Sequence, residues 1–310
     1  MTSGSTRRVT RHDNGPHPRE SAERCAMRAQ LRGDPLAGTA FPAARVLMIE
    51  QPGPWGRNAM LQSHFDAGVA KTLLARTDQA GVRVLAIRRP GRTPPGTRRR
   101  WAYADTRDGR QVLRWGSFGS DAELVSLPLD GSVGEPDDQP LYLVCTHSKH
   151  DACCALRGRP VAAAFDAERP GRVWECSHIG GERFAANMLV LPAGLMYGRV
   201  LPFSAPEFVA ATEAGEVVGA LLRGRIGFPS VAQAALAYAH EHLAVRRVDG
   251  LRVLSTSPTV DGMARVRLAG PHGHVVVNVQ VSTVAAQGLS CGNPRGGSYL
   301  AYQPVAIAAS

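Results

Sequence analysis

The sequence predicts an α/β fold of the thioredoxin-like kind, built as two halves that read as divergent copies, with a small α+β extension behind them. Three observations lead there. Short apolar runs rich in β-branched residues alternate with stretches of helix-like apolar spacing. The order strand, helix, strand, further strands occurs twice. A chain of 310 residues accommodates about two compact units at roughly 100–200 residues each. Strands joined by crossover helices imply a partly parallel sheet with helices on both faces.

Residues 1–37 carry no apolar periodicity and read as a disordered tail, with a short helix near 22–32; Cys25 falls there as an incidental thiol. The first half, 38–135, opens with a strand at 45–50 (RVLMIE), closed by the turn residues of QPGPWG. Helical spacing covers 58–77, a second strand 82–88, and two more strands 100–105 and 111–115 around a turn at 107–109. The second half, 136–223, has a strand at 141–146, a helix at 153–167 capped by Asp151, a strand at 172–176, a short helix at 184–189 and a closing helix at 207–214. Residues 224–310 form the small α+β region: a helix at 230–243, then strands at 251–255, 264–268, 274–281 and 299–307, with Gly296 and Gly297 read as a turn.

Composition narrows the function. The formal charge of +10 would suit a nucleic-acid or acidic-membrane partner. Lysine occurs only at Lys71 and Lys149, however, so the charge is arginine alongside abundant Ala and Gly, the signature of GC-rich coding. The densest arginine run, 88–100, is broken by Pro90, Pro94 and Pro95, which makes it a loop and no groove-filling helix; it offers at most a docking surface for an acidic protein. Nucleic acid and membrane are therefore not expected as partners. With no stretch of about 20 apolar residues and no apolar leader core, the expected location is the cytoplasm. Six cysteines in so long a chain are too few for a disulfide scaffold, and a reducing compartment favours metal-binding or catalytic thiols.

The chemistry concentrates between Cys145 and Arg199. In CTHSKHDACC, Cys145 ends a buried strand, while Cys153 and Cys154 open the next helix, nine residues further on for Cys154. A helix N-terminus stabilises a thiolate and prepares it for metal. Consecutive cysteines at a helix start point different ways, so Cys153 reads as a buried structural thiol. In WECSHIGGERFA a strand delivers Cys176 and His178 into a loop whose Gly180 and Gly181 permit close backbone approach. His178 and Glu182, four apart, can serve one ion. His147 and His150 read as solvated loop histidines, Arg183 as a partner for the site or a carboxylate, and QPGPWG as a packed turn. The spacing is a metal-site signal without choosing the metal: zinc and a [2Fe-2S] cluster are both open.

The strings IEQPGPWG, CTHSKHDACC, RGRP and SHIGGERFAANMLVLPAGLMYGR occur in an order that resembles the sucrase/ferredoxin-like family over about 38–199. The resemblance implies a thioredoxin-like ferredoxin whose [2Fe-2S] cluster has two cysteines on one iron and two histidines on the other. Carried over, it assigns Cys145 and Cys154 as the cysteine ligands and His178 as the first histidine of a His-x-Gly-Gly-His motif. This chain departs at the second histidine, where Glu182 stands. Three completions remain: Glu182 as a carboxylate ligand, Cys176 as a third thiolate, or another group such as Cys291 or solvent. The implied function is electron transfer between a donor reductase and an acceptor, which need not involve catalysis. The alternative is a zinc-stabilised binding domain without redox activity. Dithiol chemistry at Cys153–Cys154 lacks the two-residue spacer, and the paired carboxylates of a glycosidase are not discernible.

Overall fold

The computed structural model describes residues 24–91, 93–94, 96–293 and 295–309. In chain order the elements are α1 (Cys25–Leu31), β1 (Arg45–Glu50), α2 (Ala67–Gln79), β2 (Arg83–Arg88), β3 (Arg99–Asp105), β4 (Val112–Phe118), β5 (Glu135–Pro136) and β6 (Leu141–Cys145), then α3 (Ala152–Glu168), β7 (Val173–Cys176), β8 (Met188–Leu191), β9 (Leu195–Tyr197), α4 (Ala205–Glu213) and β10 (Leu222–Arg225). The C-terminal region holds α5 (Ser230–His242), β11 (Arg252–Thr256), β12 (Met263–Gly270), β13 (Gly273–Gln287) and β14 (Gly296–Ala309).

Both halves contribute to one ten-stranded sheet of order β10-β9-β8-β6-β7-β2-β1-β3-β4-β5. Within it β1 pairs parallel with β2 and antiparallel with β3, which pairs antiparallel with β4. The second half repeats this: β6 is parallel to β7 and antiparallel to β8, which is antiparallel to β9. The connectivity of the two halves is therefore the same, although no residue-level repeat marks it. They join edge to edge where β2 meets β7 antiparallel, Ile87 opposite Cys176 and Arg88 opposite Glu175. The halves are thus not separate bodies strung on a linker; they share one sheet.

Alternation along the strands sets two layers. Leu47 and Ile49 pack under α2 with Leu73, and Tyr142 and Val144 pack under α3 and α4 with Phe165 and Phe208. The opposite side chains, Val46, Met48, Leu85, Ile87, Leu141, Leu143 and Trp174, form a third core. Trp115 on β4 and Trp174 on β7 have ring centroids 5.5 Å apart although β2, β1 and β3 lie between their strands, so the sheet curls around this core. Burying each Leu, Ile or Phe there contributes about 1.5–3 kcal/mol. The expectation of helices on both faces is corrected: α2, α3 and α4 share the convex face. Among the described residues the concave core is closed by the sheet itself, Ala40, Phe41, Ile226 and Cys154 at the start of α3. In the C-terminal region α5 covers the four-stranded sheet β11-β12-β13-β14 through Ala232, Ala235, Leu236 and Ala239.

Four local expectations are also corrected. The helix expected from residue 58 begins at Ala67, because the Asn58 side chain accepts the N–H groups of Met60 and Leu61 and holds a turn there, while Asp66 caps the real helix through Val69 N. The helix expected at 184–189 is the end of a short 3-10 turn, Glu182–Phe184, followed by β8; Met188 and Val190 are drawn into the sheet by burial. Gly296 and Gly297 open β14 opposite Gln287 and Ala286. Residues 24–37 are no tail. Helix α1 buries Cys25, Ala26 and Ala29, and behind it the buried Asp34 pairs with Arg32 and Arg183. The rest of the expected tail lies outside the described residues.

A candidate metal centre

Cys145 is the last residue of β6 and Cys154 the third of α3, and both thiols are fully buried. Two local features fix their approach. The Asp151 carboxylate caps α3 by accepting Cys153 N at 2.8 Å. Gly158 lets the helix settle on the strand: a Cβ there would stand 2.1 Å from the Cys145 carbonyl oxygen. Beside β6, β7 ends in register, Cys145 against Cys176. Ser177 then bonds Ala86 through both N–H and hydroxyl, and the next residue is His178. The His178 Nδ1 lies 3.9 Å from Cys145 Sγ and 3.7 Å from Cys154 Sγ, while its Nε2 lies 3.4 Å from Glu182 Oε2.

The loop that returns Glu182 to His178 depends on Gly180 and Gly181, both left-handed at φ +82° and +70°. Arg223 on β10 supports it. This fully buried guanidinium donates to the carbonyl oxygens of Gly180 and Thr39, to Asn187 Oδ1 and to Thr39 Oγ1. His147 holds the other side. Its Nδ1 accepts the His178 backbone N–H at 3.2 Å, which leaves its Nε2 to donate to the Gly56 carbonyl at 2.7 Å. Trp55 packs edge-on against His147, and His150 stacks on His178 at 3.6 Å between centroids.

The charges follow from these contacts. A hydrogen bond from Cys154 and another from His178 hold Cys145 well below the usual thiol range, against the effect of burial. The same shared proton, with burial, keeps Cys154 above that range. Burial disfavours the His178 cation, but Cys145 and Glu182 outweigh it and lift the ring to about 9. Burial likewise opposes ionisation of Glu182, and His178 prevails, so the carboxylate sits below its ordinary range. These directions all favour a charged row of Cys145, His178 and Glu182 running from the core toward the surface: Cys145 is fully buried, whereas the His178 and Glu182 side chains are 16% and 18% exposed.

Of the residues the sequence singled out, Cys145, Cys154 and His178 converge, with donor atoms all within 4.8 Å of one another, and His178, Glu182 and His150 converge likewise. Cys176 does not join either group; it faces the concave core. Cys291 lies in a separate cluster with Cys25 and Cys153, so Cys153 is the buried thiol expected and Cys25 is not incidental. His147 corrects its solvated reading: it is buried and tethered. QPGPWG is a packed turn, as expected, whose Trp55 and Gly56 wall the centre. Arg183 pairs with Asp34. Arg223 went unnoticed in the sequence, where only its place in an otherwise apolar strand edge, LLRGRIG, marks it. Several arginines of the basic run are used inside the molecule. Arg88 lies over Trp55 and pairs with Glu175, Arg89 lies over Trp174 and pairs with Glu50, and Arg99 and Arg100 lie over Phe118 and Trp115. Arg92 is outside the described residues.

Fold and site together define a two-half thioredoxin-like α/β protein with a cluster of cysteine and histidine donors at the strand ends. Residues 36–224 match the sucrase/ferredoxin-like family, and the chain belongs to it. It is similar to "Altered inheritance of mitochondria protein 32" of Eremothecium gossypii, 32% identical over 116 residues, 31% of this chain and 35% of the relative. The protein of that name from Candida glabrata is 27% identical over 122 residues, 34% of this chain and 39% of the relative. The Saccharomyces cerevisiae one is 31% identical over 98 residues, 27% and 32%. The chain thus spans about a third of the length of these curated relatives. No solved structure matches it significantly. Among the described residues no helix is long and apolar enough to cross a membrane.

Proposed function

We propose that this protein is an electron carrier that holds a [2Fe-2S] cluster at this corner, with Cys145 and Cys154 on one iron, His178 on the other, and Glu182 as the fourth ligand. The observation that carries the reading is the convergence of two buried thiols with an imidazole whose far edge meets Glu182 and the surface. The donor set fits in type: soft thiolates on the core side, nitrogen and oxygen donors on the solvent side. Bound there, such a cluster supplies one-electron transfer. The protein's own residues exclude water from the thiolates, orient His178 through His147, and hold the Gly180–Gly181 turn with Arg223. The partly exposed His178 and the exposed His150 mark where a donor reductase and an acceptor protein would approach. Six unbridged cysteines suit a reducing compartment such as the cytoplasm.

A second reading has one observation in its favour. Separations of 3.7 and 3.9 Å between His178 Nδ1 and the two sulfurs are close to the edge of about 3.6 Å expected around a tetrahedral zinc ion. That centre would be structural and redox-silent.

Visible and EPR spectra of anaerobically purified protein, with iron, sulfide and zinc analysis, separate the two. Reddish protein with about two irons per chain and a rhombic signal on reduction is the expected result. Colourless protein that stays so after cluster reconstitution overturns the electron-carrier reading. Glu182→Ala is expected to shift the reduced signal and Cys176→Ala to leave it in place; the reverse result would make Cys176 the fourth ligand.

A further inference from the structure

Three more cysteines meet on the other flank of the α3 N-terminus. Cys25 comes from α1, Cys153 from the first turn of α3, and Cys291 from the connection between β13 and β14. Their sulfurs form a nearly equilateral triangle: 3.6 Å from Cys25 to Cys153, 3.4 Å from Cys153 to Cys291 and 3.5 Å from Cys291 to Cys25. The Asp151 carboxylate stands beside it, with its oxygens 3.6 and 3.7 Å from Cys25 Sγ. That carboxylate is already aimed, because its two oxygens accept Cys153 N at 2.8 Å and Cys291 N at 2.7 Å, and Ser290 Oγ lies 3.4 Å away. Cys25 and Cys153 are 1% exposed and Asp151 3%.

Around a tetrahedral ion with metal–sulfur bonds of about 2.3 Å, neighbouring sulfurs stand about 3.8 Å apart. The triangle's sides of 3.4–3.6 Å lie within a few tenths of an ångström of that. It is far wider than the bond of about 2.05 Å in a disulfide. Four donors, all within 4.8 Å of one another, three of them buried and Cys291 half-buried, fill a tetrahedral shell and leave no open position for substrate. The softness of three thiolates selects zinc over magnesium or calcium, and the negative charge left on the complex faces the free N–H groups at the start of the 17-residue α3.

We propose that Cys25, Cys153, Cys291 and Asp151 form a second, structural zinc site, distinct from the Cys145–Cys154–His178 centre, which clamps the N-terminal helix and the β13–β14 connection onto α3. Binding releases the thiol protons to solvent and forms three zinc–sulfur bonds and one zinc–oxygen bond; no electron is transferred. The adjacent residues Cys153 and Cys154 then serve two different centres, because successive side chains at the helix start diverge. The fold supplies the need. Helix α1 has seven residues and is too short to hold itself in water, and its Cys25 and Ala26 pack into a small cluster with Cys153, Ala185 and Cys291.

The test is metal analysis of the full-length protein purified under reducing conditions and exchanged against equimolar zinc, together with its Cys25→Ser, Cys291→Ser and Cys145→Ser variants. Loss of about one zinc per chain in Cys25→Ser and Cys291→Ser, with the spectrum of the Cys145–Cys154 centre unchanged and the zinc retained in Cys145→Ser, is the expected pattern. Zinc that disappears only with Cys145→Ser overturns the proposal, and so does wild-type protein that retains none. Zinc-edge X-ray absorption of the unmutated protein decides the matter without depending on a folded variant. A shell of three sulfurs and one oxygen supports the site; two sulfurs with nitrogen, or alkylation mapping that finds two of the three thiols joined in a disulfide, overturns it.

Discussion

The two halves use one scaffold for different chemistry. In each, the first strand ends on the concave side, and the parallel second strand ends beside it: Glu50 opposite Ile87 in the first half, Cys145 opposite Cys176 in the second. Two residues past the second strand's partner position stand Arg89 and His178. Both helices are capped by an aspartate, Asp66 or Asp151, and their third residues are Val69 and Cys154. The Glu50–Arg89 ion pair, 3.1 Å long, therefore occupies the place of the Cys145–His178 contact. The backbone delivers two side chains to one point in both halves, and residue type decides whether they meet as a carboxylate–guanidinium salt bridge or as a thiol–imidazole pair. The first half has kept a longer connection, residues 51–66, and spends part of it on the second: Trp55 and Gly56 wall His147.

Four substitutions break or sharpen this comparison. The largest effect is expected from Cys145→Ser, which removes a proposed ligand from the second half only; metal content and visible absorption of that centre should fall to background while the protein stays folded by circular dichroism. Next comes Arg223→Met, which strips the donor from Gly180, Asn187 and Thr39. With each orphaned acceptor costing about 1–3 kcal/mol, a loss of about 3 kcal/mol or more is expected in denaturant unfolding, together with faster amide exchange in the His178–Glu182 loop. Gly158→Ala should cost about 1–3 kcal/mol and loosen metal retention, because the added methyl meets the Cys145 carbonyl; the matching position on α2 is the buried Leu73, so the first helix has no such close approach. The smallest effect belongs to Glu50→Gln. It leaves the N–H of Arg100 an acceptor and removes only the charge facing Arg89, for about 1 kcal/mol in melting experiments with no change in the visible spectrum. A changed spectrum there would show that the halves are not independent in their chemistry.

Much of this was legible in the sequence. The run RVLMIE is strand β1 residue for residue, and the strand-to-helix passage that joins Cys145 to Cys154 follows from a buried apolar run, an aspartate cap and a spacing of nine. What escaped notice depends on contacts distant in sequence. The spacing of Met60, Leu61 and Phe65 imitates a helix because all three turn toward the same core, whereas the Asn58 side chain holds a turn. Arg223 sits in a strand where alternation says core, and its partners Thr39 and Gly180 are 184 and 43 residues away. Cys25 lies among polar residues, and its partners Cys153 and Cys291 are 128 and 266 residues away; no local pattern announces such a meeting.

That last separation has a consequence for the order in which the molecule is made. Each half of the large sheet is contiguous in sequence, so its strands can pair while the chain is still emerging from the ribosome. The thiol triangle is different: Cys25 is synthesised long before Cys291, which lies 266 residues further along the chain. The N-terminal helix meets Cys153 and Ala185 as soon as the second half is in place, but the triangle is complete only once the β13–β14 connection brings Cys291 to it.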